Sequence, residues 1–81
     1  MKRYTSLSEL LPNECAVVSD ITLKGGMRRR VQDIGLIKGT NVKCIQKSPL
    51  GDPTAYLIRG AVFAIREEDA AGVQIHRMEA E

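Results

Sequence analysis

The chain has 81 residues, enough for one domain with one core, and a domain of this length buries only roughly 60–65% of its unfolded surface. Hydrophobic residues make up 43% and charged residues 27%, an ordinary globular balance that excludes a disordered or fibrous chain. Twelve basic residues against ten acidic ones leave a net charge of +2, too even for the electrostatic footprint of a dedicated nucleic-acid binder.

Met1-Lys2-Arg3 leads into Tyr4-Thr5-Ser6-Leu7-Ser8-Glu9, where a signal peptide would need an apolar run, so secretion is not expected. The longest apolar run, Ala61 to Ile65, is far below the ~20 residues of a membrane-crossing helix, and direct membrane insertion is not expected either. Cys15 and Cys44 lack Cys-x-x-Cys spacing and read as reduced, buried structural thiols of a cytoplasmic protein.

Ser6-Leu7-Ser8-Glu9 has the spacing of a capping box and introduces a helical turn through Leu7, Leu10 and Leu11, ended by Pro12. From Cys15 to Ile21 the residues are small or β-branched, which predicts a strand with Cys15, Val17 and Ile21 on one face and Ala16 and Val18 on the other. A helix follows over 26–34: Met27, Val31 and Ile34 form its apolar stripe, and Gly35 stands where a helix ends in a left-handed residue. Arg28, Arg29 and Gln32 occupy its other faces as a basic edge, and Gly39 turns the chain into the next strand. That strand, Asn41 to Lys47, sends Val42 and Cys44 to one side and Lys43, Ile45 and Lys47 to the other.

Pro49-Leu50-Gly51-Asp52-Pro53 is a loop by its own chemistry, with two prolines fixing φ and Asp52 able to bond nearby backbone. Residues 55–58 and 61–65 then flank Arg59-Gly60 as a two-residue hairpin that sets Tyr56 across from Phe63. In that register Tyr56, Ile58, Ala61, Phe63 and Ile65 share one face, and Leu57, Val62 and Ala64 share the other. Both faces are apolar; one is core, and the other needs a cover from the 26–34 helix or from a partner. Arg66 to Ala71 reads as one acidic helical turn ended by Gly72, and Val73 to Arg77 as the last strand. Five short strands with a helix after the first and a helical turn before the last describe a small, strongly bent barrel.

Little here supports catalysis, and none is expected, nor any cofactor or metal site. The single histidine, His76, falls on the opposite face from Val73 and Ile75, while Cys44 belongs with the core set, so the metal-ligating residue types do not converge. Asp33, Asp52, Glu67, Glu68 and Asp69 lie at helix ends and turns, where carboxylates cap and solvate. Gly25-Gly26 before a helix suggests an anion site, but no Gly-Lys-Ser/Thr follows, which excludes a P-loop.

With these segments placed, the chain resembles the FeoA family of ferrous iron transport accessory proteins. The resemblance runs from about Leu7 to His76. It is carried by Gly26-Met27-Arg28-Arg29-Arg30, Asp33-Ile34-Gly35-Leu36-Ile37-Lys38-Gly39-Thr40, Pro49-Leu50-Gly51-Asp52-Pro53, Ile58-Arg59-Gly60 and Ile65-Arg66-Glu67-Glu68-Asp69-Ala70, in that order. Asn13, where the family often has glycine, and the doubled Gly25-Gly26 are departures from it; asparagine tolerates positive φ, which keeps the turn. The resemblance implies one SH3-like, mainly β barrel over 1–81 and a cytoplasmic role beside FeoB, a ferrous iron transporter with a cytosolic guanine-nucleotide-binding domain. The expected function is a non-catalytic adaptor that docks on the cytosolic part of FeoB and modulates its assembly or activity. Arg28, Arg29, Leu50, Asp52 and Tyr56 are the candidate contact residues. Two alternatives are a stand-alone metal-sensing or corepressor module, resembling the C-terminal domain of iron-dependent repressors, and a small RNA-binding barrel. Against the last, the only aromatics are Tyr4, Tyr56 and Phe63, a poor platform for stacking bases.

Overall fold

The structure is a computed structural model, and it describes residues 5–77. Six strands and two helices follow in chain order: β1 Thr5–Ser6, β2 Cys15–Ile21, α1 Gly25–Asp33, β3 Asn41–Lys47, β4 Thr54–Ile58, β5 Ala61–Ile65, α2 Glu67–Ala70 and β6 Val73–Arg77. A short 3-10 turn, Leu7–Glu9, links β1 to β2. Its start carries the anticipated serine–glutamate pairing: the Ser6 amide and hydroxyl both donate to Glu9 Oε2, at 3.3 and 3.2 Å. Leu7 and Leu10 turn inward from it, and Leu11 stays exposed.

All strands join one antiparallel sheet in the order β1-β6-β2-β3-β4-β5. This corrects the expected five-stranded barrel in two ways. A sixth strand, the two-residue β1, pairs with β6, and among the described residues no ladder joins β5 back to β1, so the sheet is open. Side chains close the core instead. Tyr56 on β4 donates its hydroxyl to the carbonyl of Leu7 at 3.1 Å, across 49 positions of sequence, and Phe63 on β5 packs against the same cluster.

The core face follows the alternation on β3 and the hairpin as anticipated. Val42, Cys44, Tyr56, Ile58 and Ile65 are buried, and Tyr56 pairs with Phe63. On β2 the expected faces are reversed at one end. Ala16 and Val18 are buried and Cys15 and Val17 are not, yet Ile21 is buried too, because the register against β6 shifts between Val18 and Asp20. A bulge adds one residue and flips the parity of everything beyond it.

The twelve-residue segment from α1 into β3 is knitted to β2. Leu36 is fully buried; its amide reaches Val31 at 2.9 Å, and the Thr40 hydroxyl donates to the Gly35 carbonyl at 2.8 Å. The Thr40 carbonyl then accepts from the Val18 amide at 2.9 Å, and the Gly39 amide donates back to the Val18 carbonyl at 2.8 Å. Gly35 has φ +103°, and a Cβ built there would lie 2.8 Å from Cδ of Arg59, the residue that leads the β4–β5 turn. Both turn residues are left-handed, Arg59 at φ 53° and Gly60 at φ 84°, as a two-residue hairpin of the twisted kind requires. Asn13 keeps its positive φ, 74°, and its amide extends the β2–β3 pairing to the Cys44 carbonyl at 2.7 Å.

Gly35→Ala combines a left-handed alanine with the loss of the Arg59 approach, and a cost of about 1–3 kcal/mol is expected. Urea unfolding followed by circular dichroism measures it; a midpoint unchanged from the parent would remove this contact from the account of the fold.

Candidate functional site

The loop over 48–53 is ordered by its own backbone. The Gly51 amide donates to the Ser48 carbonyl at 2.8 Å, the Ser48 amide to the Pro53 carbonyl at 3.2 Å, and the Asp52–Pro53 peptide is cis. Its tip presents Leu50, 93% exposed, which is unusual for so large an apolar side chain. Asp52 has a structural partner: its Oδ1 accepts the Glu67 amide at 2.9 Å, so the loop caps the first turn of α2. Tyr56 does not reach the surface. It is 1% exposed, bonded to Leu7, and its phenol is pushed up to about 12, first by burial and then by the nearby Cys44, Glu67 and Asp52. The assignment of Tyr56 to a contact surface is therefore corrected: its position on the inward face of β4 makes it core.

The three arginines of α1 divide by role. Arg28 Nη1 donates to the Ile21 carbonyl at 2.7 Å and to Leu23 at 3.4 Å, tying the helix to the end of β2. Arg30 Nη2 meets the buried carboxylate of Asp69 at 3.3 Å and ties α1 to α2. Arg29 is exposed and has no hydrogen bond or ion pair among the described residues. The five candidate residues thus do not form one cluster. Leu50 and Arg29 are free to meet a partner, Arg28 and Asp52 hold the fold, and no bond joins the arginines to the loop among the described residues.

The sequence reading missed a different surface. Successive ladders set Cys15 opposite Lys43, Lys43 opposite Leu57 and Leu57 opposite Val62, a single row across β2, β3, β4 and β5. The row lies on the outer face, because paired residues share a face and the flanking residues Ala16, Val42, Cys44, Tyr56 and Ile58 are core. A groove there is lined by Cys15, Asn41, Val42, Lys43, Leu57, Arg59 and Gly60. The uncovered apolar face of the hairpin was legible; that Cys15 belongs with it was hidden by the bulge in β2. Helix α1 does not cover this face, where Val62 is 60% exposed.

The two thiols also part company. Cys44 is fully buried, which raises its thiol above the ordinary value against the lowering pull of Lys47, whereas Cys15 is half-buried on the outer face. Among the described residues no three of His, Cys, Asp and Glu are grouped to hold a metal ion, and no helix is long and apolar enough to cross a membrane.

Residues 5–77 match the FeoA domain family. The chain belongs to that family. A curated relative, the Fe(2+) transport protein A/Fe(2+) transporter FeoB fusion protein of Porphyromonas gingivalis, is 33% identical over 69 residues, which is 85% of this chain and only 8% of the fusion protein. The solution structure of a FeoA protein from Chlorobium tepidum is 31% identical with a TM-score of 0.86, covering 95% of this chain and 73% of that one. The zinc complex of FeoA from Stenotrophomonas maltophilia, a procaryotic SH3 domain protein, is 29% identical with a TM-score of 0.79 over 89% of each chain. As fold alone, the likeness extends to the IdeR of T. acidophilum, at 20% identity and TM-score 0.83 over 96% of this chain and 36% of that one. The family and the SH3-like character expected from the motifs are thus shown.

Two measurements check the side-chain placements. In an ultraviolet titration Tyr56 should ionise near pH 12. Because its folded value is raised above the ordinary 10, the stability tied to the protonated phenol is complete below pH 10 and is lost as pH rises through 12. A midpoint near 10 for every tyrosine would contradict the burial. With a thiol reagent, Cys15 should react in the native protein and Cys44 only on unfolding; equal native rates would contradict the face assignments.

Proposed function

We propose that this chain is a non-catalytic accessory protein of ferrous iron uptake that works in the cytoplasm, docks on the cytosolic part of a FeoB-type transporter and modulates its assembly or activity. The observation that carries this reading is the P. gingivalis relative, in which a domain similar to this chain is joined to the FeoB transporter in one polypeptide. Fusion of two functions into one chain suits components that act in contact, since the linker holds each at a high effective concentration for the other. The S. maltophilia relative has been suggested to act as a ferrous iron transport activating factor, which agrees with a modulating role.

The chemistry of the site supports docking over catalysis. Its distinctive groups are an exposed leucine at the tip of an ordered loop, an exposed Arg29 and an apolar outer face, all of which suit a protein partner. Leu50 and Arg29 are the contact residues retained from the sequence, with Asp52 holding the loop in shape and Arg28 fixing the helix that carries Arg29. A reading as an RNA-binding barrel finds little support: Tyr56 is core and Phe63 is packed against it, so neither offers a face to a base. The repressor likeness is one of fold, and fold by itself does not carry a DNA-linked or metal-sensing function.

The test is a titration of the isotope-labelled chain with the cytosolic domain of the same organism's FeoB in GDP and in a GTP analogue, extended to the full-length transporter. Binding is expected, with Leu50→Ala weakening it by roughly tenfold, about 1.4 kcal/mol. Failure to bind the full-length transporter in either nucleotide would overturn the docking reading. Binding undisturbed by Leu50→Ala, with the fold intact, would overturn the role of the loop alone.

A further inference from the structure

We infer that the outer face of β2–β5 is a docking groove for an acidic, amphipathic segment of a partner polypeptide. The inference deepens the docking reading above and rests on it for the identity of the partner, while the chemistry of the segment comes from the groove. The floor of the groove includes Cys15 and Leu57 with Lys43 between them, and Val62, paired with Leu57, continues the same cross-strand row at its side. Arg59 closes one end, and it also lines an adjoining shelf with Lys38. Among the described residues no carboxylate lines the groove or the shelf.

That one-sided distribution stands out in a chain whose basic and acidic residues nearly cancel. Four carboxylates gather elsewhere, Glu67, Glu68 and Asp69 in α2 and Asp52 capping its first turn, while Glu14, next to Cys15, is engaged by the Leu11 amide and Arg77. A segment that sets apolar side chains on the floor and carboxylates toward Lys43 and Arg59 would match both properties, and the aliphatic stems of those cations would add to the apolar contact. Arg59 is held for this purpose. It occupies a left-handed position in the β4–β5 turn and its Cδ lies against Gly35, so less conformational freedom remains to be lost when its guanidinium pairs with a carboxylate. A nucleic acid would also find cations here, but among the described residues no aromatic side chain lines the groove, and an apolar floor gives a sugar–phosphate backbone nothing to pair with.

The experiment uses the isotope-labelled chain and three probes: a short peptide of alternating leucine and glutamate, its counterpart with lysine in place of glutamate, and an oligouridylate. The acidic peptide should shift the amides of Cys15, Lys43, Leu57 and Arg59. Lys43→Glu should weaken it by roughly tenfold, Val62→Glu should do the same through the apolar floor, and Glu68→Gln in α2 should leave it unchanged. No shift at these residues, equal response to the lysine peptide, or a stronger response to the oligonucleotide overturns the inference. Amide dispersion of each variant shows whether it is folded, and the exposed Val62 position keeps the test decisive if Lys43→Glu disturbs the sheet. The same variants are then titrated with the FeoB cytosolic domain. Loss of binding in Lys43→Glu identifies the groove as the transporter's site; retained binding overturns that identification and leaves the docking reading standing. Peptide binding without any binding of the transporter would count against the docking reading and for the groove.

Discussion

One hydrogen bond holds together what the backbone leaves apart. An antiparallel sheet of six short strands in open order has two bare ends, and in a chain of this length there is little core to tie them. Tyr56 crosses the core from β4, the strand next to the β5 end, to the Leu7 carbonyl just beyond β1 at the other end. The phenol is among the largest buried side chains, so the same residue contributes apolar area and adds a second donor to a carbonyl that also accepts the Leu10 amide at 3.1 Å. Leu7, Leu10 and Phe63 pack into the same core around that link.

A second layer of fastening fixes the helices. Arg28 takes hold of the β2 carbonyls, Arg30 holds a buried carboxylate on α2, and Asp52 caps α2 from the opposite loop. Helix α1 is only nine residues long and begins with two glycines, so its intrinsic stability is small, and tertiary anchors do what propensity does not. These anchors explain why a run of basic residues that looks like a binding edge in the sequence is mostly internal bracing. Only Arg29 retains the freedom that the others have given up.

Much of this was legible beforehand, and the exceptions are long-range or follow a bulge. The helix stripe of Met27, Val31 and Ile34, the glycine stop, the hairpin register of Tyr56 with Phe63, the positive φ of Asn13 and the acidic turn before β6 all follow from local chemistry. What could not be read was parity beyond a bulge. With one residue inserted near Ser19, Ile21 sits with the core while Cys15 does not, although simple alternation places them together. The face of Tyr56 was read correctly, but which face is core was left open and Tyr56 was taken as a contact residue; its acceptor, Leu7, lies 49 positions away and could not be seen from nearby residues. The outer groove was half visible as an apolar face wanting a cover, and its cationic ends emerge only when the ladders set Lys43 beside Leu57.

The pairing of β6 with β2 has a geometric consequence. Among the described residues β1 meets the sheet through β6 alone, so a break in the β6–β2 ladder would release the first strand together with the last, and the two would open as one unit while β2 to β5 stay paired.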